Sequence, residues 1–193
     1  MIPNCWIPIG RSSRWKEFYP LAKESIPNVG PRGNGVIISA FVDADHAGDH
    51  TNRRSHTGIV IFVNKAPILW YSKRQTTVET SSYGSELVAM KTAVEMIEGL
   101  RYKLRAFGVP IDGSAFLFCD NQSVVFSTST PESALKRKHN AIAYHKVRES
   151  AASGAIAVFK VGTDENLSDL LMKNLNGRKT SNFAGAIHYA HEH

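Results

Sequence analysis

Four acidic residues are spaced along the chain in settings that suit phosphate chemistry: Asp43 in "FVDADHAGD", Glu86 in "GSELVAM", Asp120 in "FCDNQSVV" and Asp169 in "NLSDLLMK". Carboxylates brought together repel one another, and their pKa values rise. A divalent cation removes that repulsion. Mg²⁺ suits such a site because it prefers carboxylate, water and substrate phosphate as ligands. Two ions about 3.5–4 Å apart can activate a water and stabilise the leaving oxygen of a phosphodiester. Each acid also has a plainer reading. Asp120 can cap the helix that starts at Asn121, Glu86 can complement a helix dipole, and Asp169 can be a solvated helix residue. Asp43, between Val42 and Ala44 at the end of an apolar run, has no local capping role.

The elements around these acids must bring them together. Residues 36–45, 57–64 and 66–74 read as three strands, with a hairpin turn near Asn64–Pro67. Tyr83, Leu87, Met90, Val94, Ile97, Leu104 and Phe107 recur at helical spacing, which predicts a long helix from Ser82 to Phe107. Thr80, Ser81 and Ser82 are its candidate N-caps, and Gly108 to Pro110 ends it. "SAFLFCD" (114–120) reads as a central strand, apolar on both faces. A short helix over 121–129, another over 139–153, a strand over 155–161 and a last helix over 164–175 follow. This order predicts an α/β fold: a five-stranded mixed sheet, three antiparallel strands and then parallel additions, flanked by helices. In this fold class the strands that end in Asp43 and Asp120 can be neighbours at the sheet centre.

Residues 1–34 read as an N-terminal arm or linker, 35–176 as the domain and 177–193 as a weakly patterned tail. With 23 Lys and Arg against 17 Asp and Glu, the net charge is +6, which favours a polyanionic partner. The basic residues cluster: residues 50–78 contain no acid but hold Arg53, Arg54, Lys65, Lys73 and Arg74. A second cluster is Lys136 to His139. Cys5 and Cys119 lie far apart and match no metal-ligand spacing, which suits a reducing compartment. No apolar stretch reaches membrane-spanning length, and the first residues lack the apolar core of a signal peptide. His46, Asp49, His50 and His56 fit no common zinc pattern and read as a polar loop.

The stretches "FVDADHAGD", "TNRRSHTGIVIFVNKAPILWYSKRQTTVETSS", "GSELVAM", "FCDNQSVV", "KRKHNAIAYHKVRE" and "NLSDLLMK" occur in an order that resembles the ribonuclease H domain of copia-type retrotransposon polyproteins, particularly the copia-like elements of diatoms. The resemblance spans Trp15 to Leu175. It implies the RNase H fold and cleavage of the RNA strand of RNA–DNA hybrids with two Mg²⁺ ions, for which Mn²⁺ can substitute. It also implies that Asp43, Glu86, Asp120 and Asp169 are the catalytic metal ligands. The partners it implies are the hybrid and a reverse transcriptase domain of the same polyprotein. The location it implies is the cytoplasm, within a virus-like particle, or the nucleus. Relatives often carry a histidine in the loop before the last helix; here that loop is "VGTDEN". A catalytically weak binding module, or another nuclease or integrase on the same fold, are the competing readings. The presence of all four acids and the "NLSDLL" context argue against both.

A hybrid duplex is recognised through phosphates and 2′-hydroxyls. Asn121 and Gln122 follow Asp120 and carry amides that suit a 2′-hydroxyl. Arg53, Arg54, Lys73, Arg74, Lys136 and Lys138 are the expected phosphate contacts, although each can equally be an ordinary solvated charge.

Overall fold

Three consecutive strands form an antiparallel meander, and two later strands extend it in parallel. The computed structural model describes residues 14–49, 51–135 and 138–172, with residues 177, 180, 181, 184 and 185. After a short helix α1 (Trp15–Phe18) come β1 (Ile38–Asp45), β2 (His56–Val63) and β3 (Ala66–Arg74). Helix α2 (Ser82–Ala106), β4 (Ala115–Cys119) and α3 (Gln122–Ser129) follow. Then come α4 (Ala141–Ser153) and β5 (Ile156–Lys160). The sheet order is β3-β2-β1-β4-β5. β1 pairs antiparallel with β2 and parallel with β4, and β4 pairs parallel with β5. The expected five-stranded mixed sheet is therefore present.

Local chemistry explains the element ends. Asn64, with a φ of 56°, takes the left-handed position of the tight β2–β3 turn. The Ser81 side chain accepts from Gly84 N–H and caps α2. Gly154, with a φ of 80°, ends α4 in the left-handed conformation that glycine adopts without strain. One face of the sheet packs Ile38, Ala40, Val42, Ile59, Ile61, Leu117 and Val158 against Leu87, Met90, Val94 and Ile97 of α2. The opposite face carries an aromatic group, Phe41, Phe116, Phe118 and Phe159. Phe41 and Phe118 stack with ring centroids 4.9 Å apart.

The last element departs from expectation. In place of an α-helix over 164–175, the described residues form two 3₁₀ turns, Thr163–Glu165 and Leu167–Leu171, while residues 173–176 lie outside the described part. Asn166 interrupts the winding. Its backbone is extended, its amide donates to the Val42 carbonyl at 3.1 Å, and its carbonyl oxygen accepts from Ser168 N–H and Oγ–H. The segment is thus pinned to β1. Gly58 permits the close approach on β2, since a Cβ there would come within 2.6 Å of the Met172 side chain and 2.8 Å of the Ser168 carbonyl.

The arm before β1 touches the helices. Arg148 of α4 donates to the carbonyls of Ser127, Thr130 and Pro131 and to Tyr19 Oη. Its guanidinium lies over the rings of Trp15, Tyr19 and Tyr144. Glu24 accepts from the Arg101 guanidinium through both carboxylate oxygens, and from Arg105 as well.

Candidate metal centre and nucleic-acid interface

Parallel pairing of β1 and β4 puts their carboxyl ends side by side, with Val42 opposite Cys119 in register. Asp43 follows Val42, and Asp120 follows Cys119. α2 crosses β1 on the helix-bearing face, and its first turns present Glu86 to the same edge. Asp169 lies in the 3₁₀ turn Leu167–Leu171, whose preceding residue Asn166 is bonded to Val42 of β1. Asp43, Glu86 and Asp169 are 3, 8 and 1% exposed, so all three carboxylates lie under the surface. Ligand atoms of Glu86, Asp120 and Cys119 all lie within 4.8 Å of one another.

Burial pushes the Glu86 carboxyl up from 4.5 to about 7, and the negative charges of Asp43 and Asp120 add to the rise. Hydrogen bonds from Asn121 and Cys119 oppose it. Asn121 Nδ2 donates to Glu86 Oε1 at 3.0 Å, and Cys119 Sγ donates to Oε2 at 3.6 Å. Burial, and then the Glu86 charge, raise the Cys119 thiol well above its ordinary value, so it stays protonated. Asp43 Oδ1 accepts from Ala44 N–H at 2.7 Å. This donor set is oxygen-rich and has a carboxylate that burial and its neighbours disfavour, so it fits a hard divalent cation. The cap of α3 is Asn121, whose side chain accepts from Ser123 N–H and Val124 N–H; Asp120 is left to face Glu86.

The fold and the sequence have separate likenesses. No family model matches the chain. The chain is 32% identical over 156 residues to the retrovirus-related Pol polyprotein from transposon RE1 of Arabidopsis thaliana, a span of 81% of the chain and 11% of that relative. It is 33% identical over 142 residues, or 73% of the chain, to the counterpart from transposon TNT 1-94 of Nicotiana tabacum, of which it spans 10%. The chain thus spans about a tenth of the length of the curated relatives it matches. Among solved structures, it is similar to the N-terminal RNase H domain of rv2228c from Mycobacterium tuberculosis, with a TM-score of 0.55 and 13% identity over 77% of this chain and 99% of that one. It is equally similar to LC11-RNase H1 in complex with RNA/DNA hybrid, with a TM-score of 0.55 and 17% identity over 69% of this chain and 92% of that one. The fold is that of ribonuclease H.

Within this ribonuclease H fold, much of the basic charge lies at the acid-bearing end of the sheet. Arg53 and Arg54 are exposed in the loop from β1 to β2. Lys73 and Arg74 close β3, paired with Thr57 and His56. Arg74 is tied to Asp49, and that guanidinium, with the backbone N–H groups of Thr51 and Asn52, holds the Asp49 carboxyl well below the usual carboxylate range. Gln122 is exposed on the first turn of α3. Lys138 is exposed in the 3₁₀ turn Lys138–Asn140, and Lys136 lies outside the described residues. Asn121 is engaged on both sides of its amide, with the helix cap on one and Glu86 on the other. Sequence reasoning missed the roles of Cys119 and Asn166. Their signal was present but faint: each is a small polar residue within three positions of an acid.

Proposed function

We propose that the domain is a ribonuclease H of a copia-type retrotransposon polyprotein. It hydrolyses the RNA strand of RNA–DNA hybrids endonucleolytically during reverse transcription. The observation that carries this reading is the close approach of Glu86 and Asp120 where β1 and β4 end together, with the Asp43 charge acting on Glu86 and the turn that carries Asp169 bonded to β1 through Asn166. These four residues would hold two Mg²⁺ ions, with Mn²⁺ able to replace them. The ions would supply an activated water and charge stabilisation at the leaving oxygen. The protein's own part is to hold the ligands at a shallow, buried edge and to draw the duplex in. Arg53, Arg54, Lys73, Lys136 and Lys138 would meet phosphates, Arg74 would do so more weakly because Asp49 already holds it, and Gln122 would meet a 2′-hydroxyl. A reverse transcriptase domain of the same polyprotein is the natural partner, because the relatives extend far beyond this segment.

The test is cleavage of matched RNA–DNA, RNA–RNA and DNA–DNA duplexes with Mg²⁺ and with excess chelator. Hybrid-selective cleavage that chelator abolishes and Mg²⁺ or Mn²⁺ restores is the expected result. Cleavage that persists in chelator removes the metal from the reading, and cleavage of DNA duplex alone moves the domain to another nuclease class.

A further inference from the structure

The two residues flanking Asp120 both turn to Glu86. Asn121 Nδ2 reaches Oε1 at 3.0 Å and Cys119 Sγ reaches Oε2 at 3.6 Å. We propose that Cys119 and Asn121 are positioning residues that clamp the Glu86 carboxylate, so that its remaining lone pairs point at a cation shared with Asp120. This rests on the ribonuclease reading above.

The geometry leaves little freedom. Asn121 Oδ1 accepts from two backbone N–H groups, of Ser123 at 2.9 Å and Val124 at 3.3 Å. Backbone N–H groups can meet only an oxygen, so the amide cannot be turned round and its NH₂ must face Glu86. Helix α3 therefore sets the plane of the amide, and the amide sets one oxygen of Glu86. Cys119 is the last residue of β4, is 1% exposed, and points to the helix-bearing side of the sheet. The sheet thus sets the other oxygen. Neither donor carries charge, so neither competes with a cation for Glu86. A Lys or Arg in either place would. Groups that orient metal ligands from behind typically contribute about 10- to 100-fold in metal affinity or activity.

The same geometry redirects the sequence-based expectation for Asn121. With Oδ1 doubly engaged and one N–H held by Glu86, a single N–H is left for a hybrid. A residue read as a substrate contact is therefore a support for a metal ligand.

Three single variants, and the double variant Asn121→Ser with Cys119→Ala, separate these roles. Asn121→Ser keeps a good N-cap for α3 but is too short to reach Glu86. Cys119→Ala removes the thiol donor, and Cys119→Ser restores a hydroxyl donor. Mg²⁺ affinity is measured by calorimetry, hybrid affinity in chelator, and Glu86 side-chain mobility by ¹³C relaxation of the metal-free protein. The clamp predicts Mg²⁺ binding weakened about 10- to 100-fold in Asn121→Ser and in Cys119→Ala. It predicts partial recovery in Cys119→Ser, hybrid affinity within twofold of wild type, and a Glu86 side chain mobile in the double variant. A rigid Glu86 in the double variant, or unchanged Mg²⁺ affinity with weakened hybrid binding, overturns it. The relaxation measurement does not depend on metal. A wild-type protein that binds no Mg²⁺ would end the ribonuclease reading and still leave the clamp testable. If Asn121→Ser loses its fold in chelator, the Cys119 pair decides.

Discussion

Glu24 packs on helix α2 and Glu86 belongs to it, and burial works against the charge of each. For Glu24 the burial penalty is outweighed by Arg101 and Arg105, which hold its carboxyl below the ordinary value. For Glu86 it is not outweighed, and the carboxyl rises to about 7. The difference lies in the partners. Glu24 meets two guanidiniums, one of them 2% exposed. Glu86 meets an amide, a thiol and the charges of other acids. One glutamate is finished as a structural element, and the other is left wanting a cation. A protein that buries arginines with full partners on one side of a helix has no difficulty pairing charges. That Glu86, where β1 and β4 end, meets no guanidinium among the described residues is what marks that end as a candidate site.

The comparison breaks most visibly at Asp43. Asp43→Asn keeps the acceptor for Ala44 N–H and removes the charge. Metal-ion stabilisation contributes several kcal/mol and each ~1.4 kcal/mol is a factor of ten, so single-turnover cleavage should fall at least about 100- to 1,000-fold. The metal-free melting temperature should hold or rise, because one of several mutually repelling charges is gone. Near-normal cleavage together with a marked loss of stability would make "FVDADHAGD" scaffold.

Glu24→Ala is the mirror experiment. It strands Arg101 with a buried charge while cleavage chemistry is untouched. Removing one partner of a buried pair costs about 3–5 kcal/mol, to be read by urea unfolding. Glu86→Gln in chelator should show no such loss. If Glu24→Ala unfolds no more easily than wild type, the arm before β1 does not belong to the cooperative unit.

pH sharpens the contrast between the two glutamates. Glu86 has a folded pKa raised from 4.5 to about 7, so the folded state holds its proton where the unfolded chain releases it. Its contribution to stability is therefore complete below about pH 4.5 and lost as pH rises through 7, a change on the order of 3 kcal/mol. Glu24 works in the other direction. Its folded pKa is depressed, so its contribution is present above the unfolded pKa and is lost as pH falls through the folded one. Melting curves in chelator from pH 5 to 8 should show Glu86→Gln gaining on wild type as pH rises, with the gap closing when Mg²⁺ is added. Parallel curves would mean Glu86 is not raised.

The strands and the long helix were legible because each is spelled locally. "TGIVIFVN" and "SAFLFCD" are apolar runs bounded by breakers, and α2 carries its period over seven turns. Asp120 stood out for the same reason, since it follows the last residue of β4, whereas Asp43 lies inside β1 and Asp169 in the middle of its turn. What sequence could not give was any partnership across distance. Glu24 and Arg101 are 77 positions apart, and Tyr19 and Arg148 are 129 apart; no periodicity links them. The last helix was misread because Leu167, Leu170, Leu171 and Leu175 recur as on a helix face. The tertiary bond from Asn166 to Val42 overrides that local preference.

The smallest expected effect concerns the basic residues that frame the acids. Arg53 and Arg54 are exposed, and the Arg53 backbone, with a φ of 53°, makes a tight turn closed by Arg53 N–H to the Asp49 carbonyl and Asp49 N–H to the Arg54 carbonyl. That turn fixes where the two side chains leave the loop but gives them no structural duty of their own. Alanine keeps the same left-handed position at about the same cost as arginine, so Arg53→Ala with Arg54→Ala should not alter the fold. Each phosphate contact contributes a little under one to the slope of log affinity against log salt. The double variant should therefore bind hybrid more weakly at low salt, with a slope lower by about one to two, and converge on wild type as salt rises. Arg74 offers the internal control, because Asp49 already neutralises it. Replacing Arg74 should change the slope less than replacing either arginine of the loop. An unchanged slope in the double variant would mean the duplex approaches the acids from the α3 side. The contrast between the two ends of α2 would then stand, but the basic loop would be ordinary solvated charge.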